Sequence, residues 1–541
     1  MTETTTVHEA LADALAAHEV DHLFGLMGDA NLFMVESLVR RHGTTFVPFA
    51  HEAGSVLAAV GYASTSGRIG VVTVTHGPAL TNCVTALVEG TRAQQPVVLL
   101  VGDTPATALH NPQNIDQREV IKTTGAGFVQ LNTPETATQD LATAFYRARV
   151  EKRPIALNMP SDFMWQTTRR DTPVRKVFDA PAMVPEGEDM EQAIGMLASA
   201  RRPLIVAGNG AIEAREDLVK LAERLEAPLA TTLQAKDMFA GHPNNIGIFG
   251  TLSTEGAYDI IGKADCVVGF GTQMHIFNTE SGKLLEGKRA IQINNDPDGV
   301  GAMFHPDVAL IADAKLTAQN FLTWMDEAEV APSGVAAEID PGKVTKHPPS
   351  PMRPIQPGCV DYVAALDRLD AILPQDKVLI CDGGRFMTEV WCRVGLSDPR
   401  AFVYSTRFGS IGLGLSIGIG AAMGQQDKPA VLFTGDGGFM SGGLVEFNTA
   451  VRAGLRLIVI VANDAAYGAE YIQFTDRQLD PEISTFHWPS FVDTANALGG
   501  KGMAVTSLEE LEEVGAFIES TEGPILIELK LDPSEIPRMR L

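Results

Sequence analysis

Two short stretches carry the residues best suited to chemistry. Gly435-Asp436-Gly437-Gly438 ends the apolar run 430–433, and Asn463-Asp464 ends a second, β-branched run over 457–461. Between them Leu444, Phe447, Val451 and Leu455 recur at helical spacing. The pattern reads strand, turn, helix, strand, with polar residues gathered at the carboxyl ends of both strands. In an open parallel sheet those ends lie side by side, and ligands bind there. Asp436 and Asn463 or Asp464 can therefore converge on one hard cation, with glycine amides and a helix N-terminus facing an anion. Mg²⁺ suits such a site, because it takes a few protein oxygens and completes its octahedron with water and phosphate oxygens. Gly-Asp-Gly alone is an ordinary turn. The strand-end Asn-Asp one βα unit later gives it weight.

The stretch resembles the thiamin-diphosphate signature: Gly-Asp-Gly, a helix, a strand and then Asn-Asn or Asn-Asp. On these residues the chain is similar to the family of pyruvate decarboxylase, benzoylformate decarboxylase, acetolactate synthase, benzaldehyde lyase and pyruvate oxidase. The resemblance implies two cofactors, thiamin diphosphate and Mg²⁺, with Gly435, Asp436, Gly437, Gly438 and Tyr467 in the cradle. Between Asp436 and Glu446, which resembles the family's acidic residue on this helix, the chain is one residue longer than usual. Glu446, Gly454-Leu455 and Tyr467-Gly468 all keep register with that shift. The resemblance then implies Asp464 as the side-chain ligand, although a plain count from Asp436 lands on Asn463. The carbonyl of Ala466 would be the third ligand.

Other positions follow from the same resemblance. Glu52 follows a strand-like run and opens an Ala/Gly-rich helix, where a glutamate is otherwise only a favourable helix start. In the family a glutamate here bonds the pyrimidine ring nitrogen and makes the cofactor's own amino group basic enough to deprotonate its thiazolium. Arg407-Phe408-Gly409-Ser410-Ile411-Gly412 resembles the segment whose apolar residue, Ile411, wedges beneath the bent cofactor while the Gly409 carbonyl accepts from the pyrimidine amino group. Asp382-Gly383-Gly384-Arg385 ends another strand, which places Gly384 and Arg385 at a turn suited to the diphosphate. Asp29 resembles the proton-handling aspartate of pyruvate decarboxylase, and His76 the active-site histidine of benzoylformate decarboxylase. Gln117 resembles the acetolactate synthase glutamine that faces the thiazolium, and Glu470 the decarboxylases' second acid.

These residues need several sheets to position them. A chain of 541 residues suggests about three domains. Repeated βα units imply an α/β fold of three doubly wound parallel-sheet domains. We place a pyrimidine-binding domain at 1–180, a central Rossmann-like domain at 190–330, a linker at 331–358 and a diphosphate/Mg-binding domain at 360–541. The lone Gly208-Asn209-Gly210 reads as a tight turn rather than a dinucleotide site.

A formal charge of −25 argues against a nucleic-acid partner. No apolar run approaches the ~20 residues that cross a bilayer, and the N-terminus lacks the pattern of a signal peptide. Five scattered cysteines form no disulfide framework. Together these point to the cytoplasm. The resemblance implies a homodimer or homotetramer with the active site between subunits. The activity expected is cleavage or formation of a C–C bond next to a carbonyl, with a small 2-oxo acid or acyloin-type substrate. Decarboxylation, or acetolactate-synthase-like carboligation, is the simplest form. Alternatives are a lyase of 2-hydroxy ketones or 2-hydroxyacyl-CoA, and a non-catalytic homologue serving as an assembly subunit; a flavin oxidase lacks a flavin signature in the central domain.

Overall fold

The computed structural model describes residues 4–175, 182–349 and 355–538. The boundary expected between the domains at 1–180 and 190–330 and the 331–358 linker lie partly outside them. The described residues form three six-stranded parallel sheets and a separate antiparallel pair of short strands, Thr4–Thr6 and Thr167–Arg169, at the two ends of the first domain. The first sheet is built from β1 (His22–Gly25), β2 (Thr45–Pro48), β3 (Gly70–Val74), β4 (Val97–Asp103), β5 (Gly127–Gln130) and β6 (Ile155–Pro160). The second comprises β7 (Pro203–Ala207), β8 (Leu229–Thr231), β9 (Asn245–Ile248), β10 (Cys266–Phe270), β11 (Arg289–Asn294) and β12 (Val308–Ile311). The third has β13 (Val378–Cys381), β14 (Phe402–Tyr404), β15 (Ala430–Gly435), β16 (Leu457–Asn463), β17 (Lys501–Val505) and β18 (Ile525–Lys530).

The strand orders separate the domains by kind. The central sheet runs β9-β8-β7-β10-β11-β12, the dinucleotide-fold order with its switch point between β7 and β10. The outer two share a different order, β2-β1-β3-β4-β6-β5 and β14-β13-β15-β16-β18-β17. The first and third domains are thus topological repeats. Strands such as β3, β15 and β16 are buried along nearly their whole length, as expected where helices cover both faces.

The repeats meet through equivalent helices, each following the second strand of its sheet: α1 (Glu52–Ser66) and α3 (Gly414–Gly424). Their sequences are dominated by Gly, Ala and Ser, so the backbones touch. A Cβ on Gly420 would stand 1.8 Å from the Ala58 carbonyl oxygen, and one on Gly61 2.0 Å from that of Ile417. Thr65 Oγ1 donates to the Ala421 carbonyl across the crossing (3.0 Å). One apolar core runs through both domains around this pair.

Two sequence features take on structural content here. Gly208 and Gly210 carry the β7 turn against the turn after β10, where a Cβ on Gly208 would meet the Gly271 carbonyl oxygen at 2.3 Å. The glycines serve a close backbone approach. The described part of the 331–358 stretch packs back on the central domain: Val335 and Val344 are buried, and the Val344 carbonyl accepts from Thr254 Oγ1 (3.0 Å).

Candidate active site

Asp436 caps the turn after β15, and its carboxylate is held on two sides. Gly437 N donates to Oδ1 and Trp488 Nε1 to Oδ2, each at 2.8 Å. On the neighbouring strand the two candidate residues diverge. Asn463 Nδ2 donates to Glu528 Oε1 on β18 (2.6 Å), and its Oδ1 accepts from Ala465 N (3.0 Å). Its amide is therefore committed to the sheet. Asp464 lies in the cleft with Asp436, and Ala466 N donates to its Oδ1 (3.2 Å). Burial pushes the Asp436 carboxyl up to about 6. Burial first, then the Asp436 charge, push Asp464 up to about 7. Two buried acids, one raising the other's pKa and only partly offset by the Arg385 charge, form a site suited to a cation.

The backbone is bent to fit this site. Ala465 takes a left-handed conformation (φ 51°), which costs a non-glycine residue on the order of 1–3 kcal/mol and persists only where the surroundings enforce it. The enforcing contacts are Phe486 N to the Ala465 carbonyl (2.8 Å) and Tyr467 N to the Ser484 carbonyl (2.9 Å). Tyr467 packs on Phe486, which stacks on Trp488. A Cβ on Gly437 would meet the Tyr467 ring at 2.8 Å, so a larger residue there would displace the ring.

The one-residue excess between Asp436 and Glu446 has a visible form. Residues Phe439–Gly443 make a π-helical turn, the geometry that absorbs one extra residue, before α4 (Leu444–Arg452) begins. Gly442 of this turn lies on the Gly412 backbone. Beyond it Glu446 is buried and accepts from His51 N (3.1 Å) and Ala50 N (3.4 Å), the residues just before Glu52. The third domain thereby fixes the start of α1 in the first.

Glu52 is the first residue of α1, half-buried, and its Oε2 accepts from Asn82 Nδ2 (3.0 Å). Asp29 and His76 come together at the carboxyl ends of β1 and β3: Thr75 Oγ1 donates to Asp29 Oδ1 (3.2 Å), and His76 Nε2 is 3.7 Å from the same oxygen. His76 is buried, whereas Asp29 is exposed.

Two residues sit differently from the roles the resemblance implies. Gln117, expected to face the thiazolium, is buried with its amide spent inside the domain. Its Oε1 accepts from Gly77 N (2.8 Å), and its Nε2 donates to the Gly102 carbonyl (2.8 Å) and Asn158 Oδ1 (2.6 Å). It braces the turn that carries His76. Arg385, expected at the diphosphate, spends its guanidinium on the C-terminal segment, donating to the carbonyls of Pro533 (2.6 Å), Ile536 and Pro537 (3.3 Å). Arg385 still lines the cleft and its charge lowers the Asp464 pKa, but three carbonyls hold its guanidinium fork. Gly384 remains at the cleft wall, with φ 153°.

A cleft of about 1930 Å³ collects Gly384, Gly409, Ile411, Gly435, Asp436, Gly437, Gly438, Asp464, Ala466, Tyr467 and Glu470 against the switch-point edge of the central sheet. Ile411 is 40% exposed into it, an unusual exposure for isoleucine that leaves it free to contact a ligand. Glu52, Asp29, His76 and Gln117 do not line this cleft.

Several supporting residues escaped the sequence reading. Asp382 is buried and accepts from Gly383 N (2.9 Å), Ser405 Oγ (2.6 Å), Gly412 N (3.0 Å) and Thr434 Oγ1 (3.1 Å), joining three strand ends to the Ile411 loop. Burial raises its carboxyl despite these donors. Glu89, on α2 (Val84–Arg92) of the first domain, accepts from Arg407 N (3.1 Å) and Phe408 N (2.7 Å) and holds the same loop from the other side. Glu89 had a legible signal, an acid within an otherwise apolar helical face. Trp488 and Glu528 had none, because their partners are distant in sequence.

Comparison with known proteins agrees with the three-domain order. Residues 5–123 match the thiamine pyrophosphate enzyme N-terminal TPP binding domain, 190–321 the central domain and 382–529 the C-terminal TPP binding domain. Similar proteins include a sulfoacetaldehyde acetyltransferase of Alcaligenes xylosoxydans xylosoxydans, 28% identical with 95% of this chain and 90% of that protein aligned. A probable 2-ketoarginine decarboxylase of Pseudomonas aeruginosa is 28% identical over 98% and 94%. A probable acetolactate synthase large subunit of Methanococcus aeolicus is 26% identical over 97% and 92%. With three parallel-sheet domains in this order, each matched by its own family description, the chain belongs to the thiamine pyrophosphate enzymes.

Proposed function

We propose that the protein is a Mg²⁺- and thiamin-diphosphate-dependent enzyme that cleaves or forms a C–C bond next to a carbonyl. Its simplest reaction is decarboxylation of a 2-oxo acid, with protonation or transfer of the two-electron fragment to a second carbonyl. The observation that carries the reading is the Asp436–Asp464 pair: two buried carboxylates at adjacent strand ends, raised to about 6 and about 7, beside a run of glycines, of which Gly437 and Gly438 would bring a Cβ within 3.0 Å of a neighbour. That donor set fits Mg²⁺ and a diphosphate. Asp436, Asp464 and the Ala466 carbonyl would hold the metal, and Gly435, Gly437, Gly438 and Tyr467 the diphosphate end. The bound cofactor supplies a carbon nucleophile that stores the electron pair released at the substrate carbonyl.

The chain's own residues do the rest. Ile411 supports the cofactor from beneath, and the Gly409 carbonyl orients its amino group. Glu52 holds a proton at the pyrimidine ring nitrogen, and Asp29, His76 and Glu470 handle protons at the substrate. Gln117 acts through Gly77, fixing the turn that carries His76. Glu52 is not among the residues lining the cleft that holds Asp436, which supports a homodimer or dimer of dimers with each site shared between subunits. Closed symmetry is the default for such assemblies. The free cysteines accord with the cytoplasm, and among the described residues no helix is long and apolar enough to cross a membrane.

The test is a panel of 2-oxo acids, acyloins and hydroxyacyl thioesters assayed with and without Mg²⁺ and thiamin diphosphate, with CO₂ and products read by mass spectrometry. Cofactor-dependent CO₂ release is expected. Cleavage of acyloins or thioesters without CO₂ would move the assignment to the lyases, and absence of cofactor binding would end it. Sedimentation velocity addresses assembly: a monomer with full activity at nanomolar concentration refutes the shared site.

A further inference from the structure

The loop that carries Ile411 also carries a cation into the cleft. Arg407 lies four residues before Ile411 and stacks its guanidinium over the Tyr404 ring at 4.2 Å from the centroid. Arg92, from α2 of the first domain, lies over the Phe408 ring at 4.7 Å, and its Nη1 reaches the Arg407 carbonyl (3.5 Å). Both line the cleft, as does His275 of the central domain, whose pKa is lowered by burial and by the Arg407 charge. Among the described residues no ion pair is found for either arginine. Glu89, the acid that meets this loop, gives its two oxygens to the backbone N–H groups of Arg407 and Phe408. It fixes the loop and feels the Arg407 charge, but makes no ion pair with either guanidinium among the described residues.

This arrangement is a built one. Each guanidinium lies over an aromatic face, and apart from the Arg92 Nη1 contact to the Arg407 carbonyl its N–H donors remain for a planar or tetrahedral anion. In a chain of net charge −25, two unpaired arginines in one cleft, beside acids set aside for a metal, are not a general surface property. We propose that Arg407 and Arg92 form an anion subsite, which takes a carboxylate, sulfonate or phosphate on the substrate distal to the reacting carbonyl. The proposal rests on the function given above for its substrate, while the binding of the anion stands on the cleft alone.

The experiment compares the holoprotein with Arg407→Gln, Arg92→Gln and Arg407→Lys, using thermal unfolding to report the fold of each variant. The first arm measures kcat/KM for 2-oxoglutarate and for 2-oxopentanoate, which have equal chain length with and without the distal carboxylate. The ratio should fall about tenfold or more in each Gln variant, as one charge-assisted contact is lost, and less in Arg407→Lys. The second arm titrates 2-oxoglutarate and coenzyme A into each protein by calorimetry. Weakening of 2-oxoglutarate in the Gln variants identifies a small distal anion, and weakening of coenzyme A alone identifies a nucleotide phosphate. If the wild type turns over no 2-oxo acid, the functional reading fails and the titrations still decide the subsite. A ratio constant within about twofold together with unchanged binding, or no binding of either probe to the wild type, overturns it.

Discussion

Asp464→Asn and Asn463→Ala should have opposite signatures, although the residues are adjacent. In the metal-free protein Asp464 is raised from 3.8 to about 7 by burial and the Asp436 charge. Its ionised form is therefore destabilised in the native state by about 4 kcal/mol at pH 8, at 1.36 kcal/mol per pH unit. A group raised in the folded state contributes fully below its unfolded value and loses that contribution as pH rises through the folded one. Asp464→Asn should thus stabilise the metal-free protein at pH 8, with the gain shrinking toward pH 5. It should weaken Mg²⁺-dependent cofactor binding by removing a charged ligand. Asn463→Ala removes the 2.6 Å bond to buried Glu528, whose other partner is Lys530 (2.6 Å). Losing that bond to a carboxylate, with Lys530 still on the same oxygen, should cost about 1.5–3 kcal/mol at either pH, with cofactor binding much less affected. Thermal melts of metal-free protein at pH 5 and 8, with calorimetric titration of Mg²⁺ and thiamin diphosphate, separate the two. If Asn463→Ala loses the cofactor more severely, or Asp464→Asn destabilises the metal-free protein at pH 8, the placement of the metal ligand is wrong.

Glu52→Gln should keep most cofactor affinity, because the diphosphate and metal contacts lie on another domain, but slow hydrogen–deuterium exchange at C2 of the bound cofactor by about 10²–10⁴-fold. Unchanged exchange, followed by quench-flow and proton NMR, would reduce Glu52 to a helix-start residue. Mg²⁺ affinity should fall as pH drops below about 7 and more steeply below about 6, as protons compete for Asp464 and Asp436; a flat profile between pH 5 and 8 in isothermal titration contradicts the paired site. Gly420→Ala places a Cβ 1.8 Å from the Ala58 carbonyl oxygen and should destabilise the first and third domains by about 3 kcal/mol or more, read in urea unfolding. Wild-type stability in that variant would mean that the α1–α3 crossing is looser than described.

The local chemistry was legible wherever it depended on neighbours in the chain. The apolar runs ending in Gly435-Asp436 and Asn463-Asp464 gave adjacent strands and a polar pair at their ends, because period and turn residues are local signals. The extra residue before Glu446 was countable, but its π-turn geometry follows from the pull of fixed partners at both ends, Asp436 on the sheet and Glu446 on the first domain. Tertiary structure alone decided where flexible polar side chains spend their hydrogen bonds. Asn463 turns to Glu528, Gln117 to Gly77 and Asn158, and Arg385 to a C-terminal segment about 150 residues away, since a buried donor must take the acceptor that folding brings to it. The same holds for Glu89 and Asp382, whose backbone partners carry no sequence signature. Residue types and spacing therefore determined the sheets and the acids at their ends, and long-range packing determined which of those side chains remain free to meet a ligand.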